Sequence, residues 1–478
     1  MSPSQFYFLV AFLVYLSVMI LISWYASRWQ RSRDDFLLAG RSVPLLLTLG
    51  TTVATMVGTG SSMGAVGFAY QHAWAGSLYG LGGAVGILLL AWLFAPARQQ
   101  GFVTMSEELA SYVGHQACVK KVLSVVIFCA CIGWLGAHLI GGGMYLAWLT
   151  GLEETTAKLM IGVGLAIYIT IGGYSAVVWT DAIQAVILFL GFLLMAYFAV
   201  ELLGGWEALK HHQSNHDSGL LSYRNIGLLP AISMATAILV GVLATPSFRQ
   251  RIYAANNVQS IRRSFALSGL LYLGFALIPA VIGISAYAIN SELDNPAFAF
   301  PFMALHALPL ALGGFILLAG ISATLSSASS DAIAAVSVLV SDLYQWLGQR
   351  ELAANQQLVF SRLAMLFTVG LALTLAVIAD NIISYITQMI ALVLSGLCVV
   401  GVLGRFWSGY TWQGSLASLL AGSLAALVVN SNTSWLQFFG NPVLPALVSA
   451  TCFGVVVSWL TQQPANDDQT TNRRVKQS

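Results

Sequence analysis

Between Ser322 and Asp331 the chain reads Ser-Ala-Thr-Leu-Ser-Ser-Ala-Ser-Ser-Asp, with six hydroxyls in nine residues ahead of an acid. The flanking sequence is apolar, and hydroxyls removed from water need partners. A single serine can bond back to a carbonyl of its own helix, but that answer serves a dense run less well. A hard monovalent cation such as Na⁺ is satisfied by hydroxyl and carbonyl oxygens, which the run supplies in quantity. A second stretch, Thr51-Thr52-Val53-Ala54-Thr55-Met56-Val57-Gly58-Thr59-Gly60-Ser61-Ser62, mixes hydroxyls with two glycines. If its helix unwinds near residues 58–60, the carbonyls of Ala54 and Val57 lose their donors four residues on, Gly58 and Ser61. Freed carbonyls at a half-helix C-terminus carry partial negative charge and attract a cation. The two stretches together predict a sodium site with no carboxylate touching the ion.

The elements that position these residues must lie in lipid. Of 478 residues, 58% are hydrophobic and 8% charged, where a soluble domain carries about 25% charged residues. Apolar runs of about 20 residues, enough to cross the hydrocarbon core, recur along the chain. Thirteen are read near 5–27, 43–71, 73–99, 118–149, 156–178, 180–204, 228–248, 263–290, 310–343, 357–379, 382–404, 411–430 and 436–461. They are helices rather than barrel strands, because runs such as residues 185–200 are apolar on every face. The expected fold class is an all-α membrane protein of about 13 transmembrane helices. Residues 1–461 read as a single transmembrane transporter domain, and residues 462–478 as a disordered cytoplasmic tail.

Charge orients the bundle. The first span has no basic residues before it and Arg28, Arg31, Arg33 and Arg41 after it, an uncleaved span with its N-terminus outside. Thirteen spans then put 17 of the 20 Lys and Arg on the cytoplasmic side, leaving Lys158, Lys210 and Arg224 outside. That asymmetry is the positive-inside pattern of a bacterial cytoplasmic (inner) membrane protein with its C-terminus in the cytoplasm. The basic residues read as membrane-edge anchors, and a net charge of +2 gives no sign of a nucleic-acid partner. The five cysteines form no CxxC pair and read as core residues. The connection over residues 205–228, with His211, His212, His216 and Asp217, reads as a solvated loop rather than a metal site.

The second and seventh spans look unlike ordinary membrane helices, as interrupted spans would, or as spans whose Gly and Ser allow tight helix packing. The seventh holds Ser233, Thr236, Gly241, Thr245 and Pro246. Inverted-repeat transporters place broken helices at matching positions in their two halves, with the substrate between them. Five spans separate these two, which fits a five-plus-five repeat with halves near 43–204 and 228–404.

The run Gly172-Gly173-Tyr174-Ser175-Ala176-Val177-Val178-Trp179-Thr180-Asp181-Ala182-Ile183-Gln184 resembles the signature of the sodium:solute symporter family, which includes sodium/glucose, proline, pantothenate and choline carriers. Residues 36–42 (FLLAGRS), residues 326–344 ending in Asp342-Leu343-Tyr344, and Gln250-Arg251 with Ala254-Ala255 are similar too. The resemblance implies a leucine-transporter-like core and a sodium site joining Ala54 and Val57 to Ala323, Ser326 and Ser327. It also implies an acid near the ion route at Asp181, the alternative being a helix N-cap and loop carboxylate. Asp331 departs from the pattern, and an acid inside a membrane helix is a functional candidate by default. It is expected to pair with Arg or Lys at the cytoplasmic edge, to take part in ion release, or to sit protonated.

The function expected is sodium-coupled symport of a small organic solute by alternating access, with Na⁺ as coupling ion and lipid as surroundings. Substrate positions of the sugar and choline branches are replaced by Gly60-Ser61, Met56 and Thr245, which disfavours both cargoes. Residues 51–70 look closest to the pantothenate branch, leaving a small carboxylate plausible. Candidate solute contacts are Thr59, Ser61, Ser62, Tyr79 and Thr245. Alternatives are a proton-coupled carrier, a channel, or a membrane sensor, which would normally need an output domain. An enzyme would need acids or His converging at depth, where only His138, Asp331 and Asp181 qualify.

Overall fold

A computed structural model of the protein describes residues 2–28, 30–214, 223–348, 354–378 and 389–462. The expected tail from residue 463, His216 and Asp217, and the start of the span near 382–404 lie outside the described residues. Among those described, nine helices are long and apolar enough to cross a membrane, or ten if the bent pair Leu228–Ala244 and Pro246–Ala254 counts as one span. Leu45–Met56 and Ile390–Phe406 are shorter apolar helices, each on an expected span. The chain is thus an integral, all-helical membrane protein, with an isolated bridge between Val43 and Ala255 as the one strand-like pairing described.

The helices needed below are α1 (Pro3–Ser27), α2 (Leu45–Met56), α3 (Ser77–Leu93), α4 (Met105–Tyr112), α5 (Ala117–Thr150), α6 (Glu154–Leu202), α7 (Leu228–Ala244), α8 (Pro246–Ala254), α9 (Val258–Phe275), α10 (Leu310–Val338), α11 (Trp412–Asn430) and α12 (Val443–Thr461). Burial sorts them. In its most apolar stretch α10 is 78% buried and α5 72%, against 17% for α1 and 28% for α12. Glycine and small residues let α5, α6 and α10 pack closely, so the hydroxyl-rich helix sits at the centre with apolar helices around it.

One expected boundary moves. The turn between the spans at 156–178 and 180–204 falls at Gly173, with φ 50° and ψ −155°, inside α6. Only glycine adopts that conformation without strain, and a Cβ there would lie 2.7 Å from the Phe36 ring. The second half of α6 therefore begins several residues early. Asp181 lies about two turns into it, buried, instead of capping a helix from a loop.

Both expected interruptions are present. Helix α2 stops at Met56, and Val57 leaves the helical region with φ −90° and ψ 41°. A wider π-turn starts at Gly60 and runs to Ala65 before α-helix resumes at Val66. On the other side, Thr245 is extended and Pro246 opens α8, bending the pair by 41°. Proline has no N–H to continue the earlier ladder and suits the first position of a new helix. Backbone bonds from Val43 N to Ala254 O (3.2 Å) and from Asn256 N to Val43 O (3.1 Å) tie the start of α2 to the end of α8.

Candidate functional site

The break after α2 faces the middle of α10. The Ser326 hydroxyl donates to the Ala54 carbonyl at 3.2 Å and the Ala323 carbonyl at 3.0 Å. The Ser327 hydroxyl donates to the Thr55 carbonyl at 3.3 Å. Gly58 lies so close to α10 that a Cβ on it would fall 2.5 Å from Ser327 Oγ. The N–H of Ser61, which a continuous helix would give to Val57, goes to the Gly58 carbonyl at 3.0 Å. Four of the five oxygen donors expected from sequence thus meet in one contact zone: Ala54, Ala323, Ser326 and Ser327. Val57 sits at the break with its helical donor taken elsewhere.

The six hydroxyls of the run divide between two kinds of partner. Thr324 donates to the Ile321 carbonyl (2.7 Å) and Ser329 to the Ser326 carbonyl (2.9 Å), both within the helix. The other four reach across: Ser322 to Tyr15 (2.8 Å), Ser326 and Ser327 to the end of α2, and Ser330 to Asp181 at 3.3 Å. Bonding within the helix explains a third of the run.

One turn along from Ser326 lies a layer of fixed charge. Asp181 Oδ2 accepts from Thr51 Oγ1 at 2.5 Å and sits 3.7 Å from the Arg251 guanidinium. That guanidinium also donates to Ser330 Oγ at 2.8 Å, to the Thr51 carbonyl at 3.0 Å, to the Ser247 carbonyl at 2.8 Å and to Thr55 Oγ1. Arg251 is 1% exposed, so it is no membrane-edge anchor. Arg249 is another correction: it is equally buried, 3.0 Å from Glu108 on α4 and stacked on the Phe94 ring. Two of the five cysteines, Cys131 and Cys398, are buried; the other three are exposed rather than core.

Asp331 takes a partner unlike the one expected. Its Oδ2 lies 3.3 Å from His138 Nε2, and His138 Nδ1 lies 3.0 Å from Thr59 Oγ1. Arg and Lys play no part in this pairing. Asp331 and His138 both line one cavity. Both broken segments contribute to it, through Gly58 and Gly60 on one side and Gly241 and Thr245 on the other.

Of the solute contacts expected from sequence, Tyr79 and Thr245 line this cavity, the Thr245 hydroxyl turning back to Gly241 O at 2.5 Å. Thr59, Ser61 and Ser62 stand beside it with their hydroxyls engaged. Thr59 holds His138, Ser61 bonds the Met56 carbonyl (3.0 Å) and Tyr272 (2.7 Å), and Ser62 turns toward the Gly58 carbonyl at 3.4 Å. Trp134 has no role in the sequence reading, His138 enters it only as a group at depth, and Arg251 only as a motif residue and an edge anchor. The spacing of Trp134 and His138 was the available signal, since positions four apart share a helix face, and their rings stack at 6.0 Å.

Two broken helices meeting a serine-rich central helix beside a cavity fit a secondary transporter. The sequence pattern of the sodium:solute symporter family matches residues 36–422. The chain belongs to that family, and it works by sodium-coupled symport of a small-molecule solute through alternating access, with Na⁺ as the coupling ion. Among curated relatives, it is 24% identical over 463 residues to the uncharacterized symporter YwcA of Bacillus subtilis (strain 168), covering 91% of this chain and 90% of that protein. Among solved structures, the substrate-bound outward-open state of a Na⁺-coupled sialic acid symporter superposes with a TM-score of 0.84 at 19% identity, covering 97% of this chain and all of that one. MhsT in complex with L-phenylalanine is similar at a TM-score of 0.58 and 14% identity, covering 87% of this chain and 98% of that one. These likenesses bear out the expected leucine-transporter-like fold.

Proposed function

We propose that the coupling ion is held where α2 breaks against α10. The carbonyls of Ala54, Val57 and Ala323 and the hydroxyls of Ser326 and Ser327 are its ligands. The observation that carries this reading is the pair of hydrogen bonds from Ser326 to Ala54 O and Ala323 O. The hydroxyl now donates to carbonyls that a cation would take as ligands. On ion entry the O–H proton turns aside and its lone pair joins the carbonyls around Na⁺, so binding draws α2 and α10 together. The solute occupies the neighbouring cavity, whose walls come from both broken segments, so ion and solute bias the same closure. The protein moves its cargo without transforming it.

The wider arrangement follows from the same reading. Residues 43–204 and 228–404 form the two halves of the core within a single transmembrane domain. The N-terminus lies outside, and the end bearing Arg28, Arg41 and Arg98 faces the cytoplasm of a bacterial cell, consistent with the positive-inside rule. One charge moving down 100 mV supplies about 2.3 kcal/mol, and a tenfold sodium gradient about 1.4. One ion per solute then sustains roughly a few hundredfold accumulation.

The test is uptake into proteoliposomes across a range of sodium concentrations. Ser326→Ala and Ser327→Ala should each raise the sodium needed for half-maximal uptake by about tenfold, corresponding to roughly 1.4 kcal/mol of lost ion binding. Unchanged sodium dependence in both variants removes the ion from this place.

A further inference from the structure

Three residues that line the cavity each carry an unmatched polar atom. Asp331 Oδ1, Trp134 Nε1 and Ser247 Oγ are each buried without a hydrogen-bond partner, and all three residues line it. Buried polar atoms are nearly always satisfied, and an exception marks strain or an absent partner. Three of the twenty such atoms among the described residues belong to residues that line this one cavity, one on each of three helices (α10, α5 and α8), so one molecule seated there could engage all three.

The charge of that molecule follows from the His138 pair. The two ring nitrogens of His138 lie between Thr59 Oγ1 and Asp331 Oδ2, and with the imidazole neutral, Thr59 donating to Nδ1 and Nε2–H to Asp331, the pair orients the carboxylate without cancelling its charge. Asp331 is the one formally charged side chain among the described residues that line the cavity; no Lys or Arg is among them. A solute presenting only a carboxylate would meet repulsion there. A cationic nitrogen would meet Asp331 Oδ1, with the Trp134 and Phe248 rings available for cation–π attraction.

We propose that the transported solute carries a protonated amine, read by Asp331 Oδ1, with His138 as the residue that positions the carboxylate. Trp134 Nε1–H and Ser247 Oγ take further polar atoms of the same solute, Trp134 an acceptor and Ser247 either kind. This deepens the cavity assignment above and rests on it. It does not rest on the ligands of the sodium site.

Full-length protein in sodium-containing detergent solution is screened for thermal stabilisation, and in proteoliposomes for sodium-driven uptake. The probes are matched pairs differing in one group: alanine against lactate, serine against glycerate, 4-aminobutyrate against butyrate, ethanolamine against ethylene glycol. At least one amine should stabilise and be taken up, with its partner inert. For that amine, Asp331→Asn should raise the concentration for half-maximal uptake by about thirtyfold or more, and Asp331→Glu should recover part of the loss. Stabilisation by sodium alone should be unchanged in Asp331→Asn, which also shows that the variant is folded. Preference for the partner lacking nitrogen, no response to any amine, or wild-type amine uptake by Asp331→Asn overturns the proposal. Loss of the sodium response through Ser326→Ala, with amine selectivity intact, would leave it standing and bear on the ion site only.

Discussion

Helices α2 and α10 touch in two layers that share a turn of backbone and differ in what fills them. Where Ser326 and Ser327 meet Ala54 and Thr55 the contact consists of hydroxyls on carbonyls at 3.2–3.3 Å, with no formal charge. At Thr51 and Ser330 the same helices meet around Asp181 and Arg251, a buried carboxylate and guanidinium 3.7 Å apart. The second layer carries its own cation, covalently attached and unable to leave. The first has oxygens suited to a cation and none built in. A carrier needs both kinds of contact: one that persists through the cycle and one whose strength follows the ion. Arg251, bonded to Thr51, Ser247 and Ser330 at once, is the strut; Ser326 and Ser327 are the exchangeable contact.

The largest effect expected from this contrast is on Arg251. Removing one partner of a buried ion pair leaves an uncompensated charge and costs about 3–5 kcal/mol, whereas replacing both with apolar residues is often neutral. Arg251→Ala should therefore sharply lower the thermal unfolding temperature of purified protein, and Asp181→Leu with Arg251→Met should restore most of it. If Arg251→Ala keeps wild-type stability and changes only the sodium requirement, the two layers have been assigned the wrong way round.

Gly58→Ala should act next most strongly, and on the other layer. The new Cβ would sit 2.5 Å from Ser327 Oγ and 3.3 Å from the Thr55 carbonyl, forcing apart the contact that the ion would close. Half-maximal sodium should rise by at least about tenfold with little change in thermal stability measured without sodium, since overpacking at a break can relax more easily than in a continuous core. A stability loss as large as that of Arg251→Ala would make the break a packing joint.

Much of this contrast was legible in the sequence, and the missing part has a physical cause. Hydroxyl density around Ser326 and the glycines at 58 and 60 marked the exchangeable layer, because both are costly in lipid and need a reason to be there. The alternative reading of Asp181 as a helix cap fails because the helix breaks at Gly173, seven residues before Thr180. Hydropathy does not register a turn made by backbone conformation inside an apolar run. In the sequence Arg251 reads as an edge anchor because a positive charge near a span's end looks the same whether it snorkels to water or turns inward. What distinguishes the cases is Pro246, which starts α8 at an angle that carries Arg251 under α2. Asp331 was singled out, but its partner His138 is 193 residues away in sequence and no local pattern joins them.

The smallest expected effect is the sharpest control, because it lies in the same run. Ser329 is as buried as Ser326, yet its hydroxyl donates to the Ser326 carbonyl on its own helix at 2.9 Å. No bond from it to α2 is described, so its loss spares the exchangeable layer and removes a hydrogen bond worth about 0.5–1.5 kcal/mol while the carbonyl keeps its ladder partner. Ser329→Ala should leave half-maximal sodium within about twofold of wild type, a difference below roughly 0.5 kcal/mol. Density of hydroxyls alone would predict equal effects at Ser326 and Ser329. An equal sodium shift in both variants would mean that α10 acts through its overall polarity, and the layer-by-layer distinction would fall with it.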